Sequence, residues 1–211
     1  MLLNQGLLGS AFFEASASVI LLVLFAIFRR DHDSYYFRLW LVGWICFTCA
    51  SLGEVALLVR NLPELGVPVL LGHAAALAFF VLSVIDLTAV PEYRRWPVIS
   101  AVGLSLVWTY YIEQTGSRGN VWAHWETAIL ESAVCLTAGW LVWRWAADRP
   151  GHGMRLLAGL FLLDGLHGID RAYWPQHPLF TLRVAFDHLL GVSLGIAMVV
   201  LVLESARSRT D

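Results

Sequence analysis

Ionisable side chains interrupt the long apolar stretches of this chain, and their types are those that bind metal ions and protons. A rise of about 1.5 Å per residue from the predicted helix ends puts most of them in one layer, about 6–12 Å below one membrane surface. Ionisable residues at that depth are energetically costly, and by default they indicate function. The layer comprises Glu14, Glu54, His73, Glu131, Asp164, His167, Asp187 and His188.

Helical spacing places several of these residues on shared faces. Arg183 and Asp187 are four positions apart, with His188 one position further round. Asp164 and His167 have the acid-x-x-His spacing that di-iron carboxylate bundles use. Because positions three or four apart share a helix face, these stripes predict a polar cavity inside a helix bundle.

A transition-metal site is one interpretation of this cavity, since imidazole and carboxylate groups bind zinc, iron and manganese. The predicted metal ligands are His73, His167, His188, Glu131 and Asp187. The residues predicted to bind a ligand are Glu14, Glu54, Glu131, Asp164, Asp170, Asp187 and Arg183. A pocket for a small molecule or a proton, and a purely structural hydrogen-bond network, are the alternatives.

Other residue types in the sequence bear on other possible cofactors, namely copper, haem and retinal. Copper(I) would need the thiolates of Cys46, Cys49 and Cys135. A b-type haem held by facing histidines ranks behind a simple metal ion. The chain has no lysine, because all 14 basic residues are arginine. A retinal Schiff base, which requires a lysine amine, is therefore excluded.

The composition is that of a membrane protein. Hydrophobic residues make up 58% of the 211 residues and charged residues 14%, whereas soluble domains average about 45–50% and about 25%. The net charge of −2 argues against a nucleic-acid partner, which would need clustered positive charge. The expected partner is instead the lipid bilayer.

Seven apolar stretches are long enough to cross a bilayer as helices. The sequence thus predicts an all-α integral membrane protein, a seven-transmembrane helix bundle forming one domain over 1–211. Residues 205–211 would be a cytoplasmic tail or the start of a signalling helix. The predicted spans are 7–28, 37–59, 68–90, 96–113, 123–146, 153–171 and 180–204.

Arginine counting predicts the orientation. With the N-terminus outside and the C-terminus inside, ten arginines lie on the inner side and four on the outer side. The polar layer then lies in the outer half of the bundle.

The sequence LDGLHGIDRAYWP at 163–175, followed by a last span that ends in VLESAR, resembles the amino-terminal multi-pass sensor regions of bacterial membrane histidine kinases and GGDEF diguanylate cyclases. Those regions often carry a Leu-His-x-x-Asp stretch before the last span, here Leu166, His167 and Asp170. The resemblance implies a sensor in the bacterial inner membrane. It also implies a cytoplasmic output domain, a kinase or a cyclase, in cis or in trans.

We therefore expect a sensor or binding module rather than an enzyme. A metal ion or small ligand would bind in the polar cavity, and the last helix would transmit the change to the cytoplasm. The alternative is a zinc-dependent seven-span hydrolase acting on lipids. A homodimer is among the partners that the sequence allows.

Overall fold

The computed structural model describes residues 2–30, 34–88, 121–147, 151–169 and 180–207, with isolated positions between Trp96 and Tyr111. The predicted fourth span, 96–113, lies mostly outside the described residues. Within them, a short 3₁₀ turn, Pro63–Leu65, precedes the third of the helices. The helices are α1 (Leu2–Phe28), α2 (Tyr35–Arg60), α3 (Gly66–Leu87), α4 (Val121–Ala146), α5 (Gly153–Ile169) and α6 (Phe180–Arg207).

Four helical segments are long and apolar enough to cross a membrane: Gly6–Phe28, Tyr35–Arg60, Gly66–Leu87 and Leu182–Arg207. Large apolar side chains are exposed along them, as lipid-facing surfaces require, including Ile20, Val23 and Ile45. The chain is a multi-pass membrane protein.

The prediction of a seven-helix membrane bundle is wrong. The described residues form six helices, and four of these qualify as membrane spans. Helix α5 has 17 residues and is about 26 Å long, short of the roughly 30 Å hydrocarbon core. Helix α4 carries Glu131, Arg144 and several tryptophans, which lower its hydropathy. The predicted orientation was counted over all fourteen arginines, six of which lie outside the described residues.

Helix α2 ends at a residue in the left-handed conformation. Asn61 adopts the left-handed conformation, with φ 52° and ψ 52°, directly after Arg60. Asparagine tolerates this conformation better than most residues, and Pro63 then prevents the helix from continuing. The chain therefore reverses into α3 within a few residues, and α3 packs along α2.

The bundle consists of neighbouring helices in close contact. Helix α2 packs on α3, and α4 packs on α5. Helix α1 lies between α2 and α6, while α6 also packs on α5. At Gly139 and Gly165 the backbones of α4 and α5 approach so closely that a Cβ would lie 2.9 Å from a backbone nitrogen of the other helix. Small residues at such crossings are typical of membrane helix pairs.

One half of the bundle is filled with aromatic side chains. Trp40, Trp44, Phe25 and Phe37 are fully buried, and the rings of Phe25 and Trp44 stack with their centroids 5.8 Å apart. Phe80 from α3 meets Trp44 at 5.2 Å. This aromatic core is formed by the end of α1, the start of α2 and the end of α3. The polar residues of the predicted layer lie in the other half of the bundle.

Gly195 is where α6 crosses this aromatic core. A Cβ at this position would lie 2.5 Å from both Leu21 Cδ1 and Trp44 Cζ2. Because the Trp44 indole is rigid and fully buried, we expect Gly195→Ala to lower the free energy of unfolding by about 1–3 kcal/mol. Thermal unfolding in detergent would measure the change.

Gly159→Ala provides the matched control, because nothing lies within 4 Å of a Cβ built there. It should leave stability unchanged or raise it slightly, since alanine favours helix more than glycine does. Equal stability of the two variants would contradict the tight packing at Gly195.

Candidate functional site

A cavity of about 410 Å³ lies in the other half of the bundle and borders the aromatic core at Phe80, and its walls come from all six described helices. Its polar lining residues are Glu14, Glu54, His73, Glu131, Asp164, Arg183, Asp187 and His188. Its apolar lining includes Phe47, Leu70, Leu77, Phe80, Leu160, Leu190 and Leu194. A concave chamber of this size, apolar with a few convergent polar groups, is typical of small-ligand sites.

Two carboxylates and two imidazoles from four helices meet on one side of the cavity. His188 Nε2 lies 3.6 Å from Glu14 Oε2 and 3.6 Å from Glu54 Oε1. His73 Nε2 lies 3.9 Å from Glu54 Oε2. Glu14, Glu54 and His73 each offer one ligand atom, and these three atoms lie within 4.8 Å of one another. We call these four residues the Glu–His cluster.

The Glu–His cluster is buried at its centre. The side chains of Glu14 and His188 are 3% and 8% exposed. Among the described residues, Glu14 Oε2 and His188 Nδ1 are buried without a hydrogen-bond partner. Buried polar atoms usually have partners, so these two atoms point to a group that would bind here.

A second set of polar contacts lies on the α4–α5–α6 side of the cavity. It includes Asp187, which directly precedes His188 on α6. His167 Nε2 is 3.1 Å from Asp187 Oδ1, which joins α5 to α6. Arg183 Nη1 is 3.5 Å from Asp187 Oδ2, within α6. The Cys135 thiol donates to Asp164 Oδ2 at 3.2 Å and joins α4 to α5. These contacts fix the α4–α5–α6 side of the cavity.

The predicted site residues divide into three groups in the structure. Eight of them line the cavity together, from Glu14 on α1 to His188 on α6. His167 is not part of the lining and instead contacts Asp187. Asp170 lies outside the described residues.

The group of described residues with metal-ligand spacing shares only His73 with the predicted metal ligands. The described residues give one group with metal-ligand geometry, Glu14, Glu54 and His73, whereas the sequence assigned the two glutamates to ligand binding. Position along each helix predicted that the acids and histidines lie at one membrane depth. It could not predict which of these side chains are neighbours around the bundle. No three-cysteine copper group forms among the described residues.

The apolar wall of the cavity was not predicted. Phe47 and Leu70 carry no sequence signal that separates a cavity wall from a lipid-facing or packed surface. The role of Glu204 was also missed. Its carboxylate accepts hydrogen bonds from the backbone N–H groups of His152 and Gly153, both at 2.9 Å.

Comparisons of the chain with protein-family models, with curated proteins and with solved structures find no match.

The contacts of Asp187 yield a test of the site's architecture. Replacing Asp187 with alanine removes the acceptor that faces both His167 and the buried Arg183 guanidinium. We expect Asp187→Ala to lower the free energy of unfolding by about 1–3 kcal/mol, because charge-assisted contacts are lost in a buried setting. Thermal unfolding in detergent is the measurement.

Asp86→Ala is the control for this substitution. Asp86 is a half-buried acid on α3 that does not line the cavity. Its loss should have the smaller effect, and a ranking in the opposite order would show that Asp187 does not hold the cavity wall together.

Proposed function

We propose that this protein is a membrane sensor module that binds a ligand in the cavity and transmits binding along α6. One observation carries the proposal: α6 supplies three polar cavity residues at one end and a capping carboxylate at the other. Arg183, Asp187 and His188 line the cavity, and Glu204 lies about 26 Å further along the same helix.

Glu204 forms a clasp at the far end of α6. Its two carboxylate oxygens accept one hydrogen bond each from the N–H groups that open α5, at His152 and Gly153. Helix N-termini present such unpaired donors and favour negative charge. Gly153 allows the close approach, since a Cβ there would lie 2.8 Å from Leu201 Cα.

Helices α5 and α6 are therefore joined at both ends. The His167–Asp187 contact joins them beside the cavity, and the Glu204 clasp joins them at the opposite end. A ligand that contacts α6 in the cavity would favour one relative position of the two helices. Such a shift requires the ligand to bind the two arrangements with different affinities.

The clasp lies at the arginine-rich end of the bundle. Six of the eight arginines among the described residues are near that end, namely Arg29, Arg30, Arg38, Arg144, Arg155 and Arg207. Cytoplasmic ends of membrane helices carry such an excess. We place this end in the cytoplasm of a bacterial cell, where α6 would pass its movement to a kinase or cyclase output domain, in cis or in trans. The resemblance of 163–175 to sensor regions supports the same role.

The proposal predicts energetic coupling between the cavity and the clasp. Asp187→Asn should increase amide hydrogen exchange severalfold in the segment 151–157, where the protected N–H groups of the clasp lie. Glu204→Gln should in turn alter exchange in 182–188, because coupling between two sites is reciprocal. Hydrogen exchange of the full chain in nanodiscs, read by mass spectrometry, measures both.

Asp86→Asn is the control, and it should leave exchange in 151–157 unchanged. Exchange in α3 should also stay constant in Asp187→Asn, which separates coupling from general loosening of the fold. Changes confined to the end that carries each substitution would refute transmission along α6.

A further inference from the structure

We propose that Glu14, Glu54, His73 and His188 bind a divalent transition-metal ion, and that this ion is the ligand of the cavity. The assignment of a site rests on the Glu–His cluster alone. The assignment of the ion as a signal rests in addition on the proposed function. The cluster joins α1, α2, α3 and α6, so an ion bound there would hold the last helix to the first three.

The spacing of the ligand atoms suits a metal ion. Zinc bonds to nitrogen and oxygen are about 2.0–2.2 Å long, which puts the ligand atoms of a tetrahedral site about 3.3–3.6 Å apart. The separations around Glu54 and His188 are 3.6, 3.6 and 3.9 Å. Glu14, Glu54 and His73 offer ligand atoms within 4.8 Å of one another, so side-chain rotations would bring these atoms closer together and turn His188 Nε2 into the fourth position.

The charge of the cluster also favours a dication. Two carboxylates beside two neutral imidazoles carry a formal charge of −2, which one divalent ion neutralises. Uncompensated charge is costly at this burial, and Glu14 is 3% exposed. Arg183, the permanent cation of the lining, lies 3.5 Å from Asp187.

The donor set narrows the choice of metal. Two imidazoles with two carboxylates suit zinc, ferrous iron and manganese, whereas calcium and magnesium prefer all-oxygen sites and copper(I) prefers sulfur. Both imidazoles contact Glu54, one at each carboxylate oxygen. The adjoining cavity leaves room for water on an open coordination position.

Two buried atoms of the Glu–His cluster lack a hydrogen bond within the described part of the chain, which also supports the assignment. His188 Nδ1 and Glu14 Oε2 are buried without a hydrogen-bond partner among the described residues. The His188 side chain is more than nine-tenths buried and lines the cavity. An ion would engage Glu14 Oε2 directly, whereas His188 faces the glutamates with Nε2, so its Nδ1 would reach the ion only through bound water or after a turn of the ring.

Metal analysis of the untagged full chain tests the site. Elemental mass spectrometry of protein purified in detergent should find close to one equivalent of zinc, iron or manganese. After the metal is removed with a chelator, added Co²⁺ should give visible absorption bands that saturate at one equivalent. Excess Zn²⁺ should then abolish the bands.

Substitutions in the cluster should weaken Co²⁺ binding at least tenfold. Glu54→Gln and His73→Gln are the main variants because both side chains are partly exposed and tolerate change better than the buried His188. Glu64→Gln is the matched control, since Glu64 is exposed and lies outside the cavity lining. This control should bind Co²⁺ like the original protein.

The outcomes separate the two proposals. Absence of metal with no Co²⁺ bands, or undiminished binding in Glu54→Gln and His73→Gln, would overturn the metal site. Coupling between Asp187 and the clasp could still be observed in that case, and the sensor would stand with another ligand. Zn²⁺ binding that leaves exchange in 151–157 unchanged would keep the metal site and refute its role as the signal.

Discussion

The carboxylate of Glu14 is almost fully buried in a helix whose other residues are mostly apolar. A charge in such surroundings is tolerated only when other groups or ions compensate it. Glu14 meets this constraint by contact with His188 on α6, whose imidazole can carry a proton or share a metal ion, with Glu54 on α2 beside both. The requirement to bring these groups together determines which ends of the helices converge, and it keeps that half of the bundle from closing into an apolar core.

The two halves of the bundle are built differently as a result. Aromatic side chains such as Trp40, Trp44 and Phe25 fill one half, where the helices are held by packing. The other half keeps a cavity of about 410 Å³ whose walls mix acids, histidines and leucines. A well-packed half transmits a displacement, because packed interiors deform little. A cavity at the other end leaves space in which a ligand can act on the helices.

Helix α6 connects these halves. It carries cavity residues near its start, crosses the aromatic core at Gly195, and ends at the Glu204 clasp on α5. Since α6 packs on both α1 and α5, a change in its position alters contacts with both sides of the bundle. A binding event between α6 and the first three helices therefore has a physical route to the opposite end.

The sequence by itself determined that the chain is a helical membrane protein, because apolar run length and low charge leave few other structures for such segments. It also predicted that acids and histidines lie at one depth, since depth follows from position along a helix. Angular order around the bundle depends on packing between distant segments. Only the tertiary structure therefore shows that Glu14, Glu54 and His73 lie together and that His167 contacts Asp187. It also corrected the seven-span count, because four helices of the described residues are long and apolar enough to cross a membrane. It showed the Glu204 clasp, whose donors lie about fifty residues earlier in the chain.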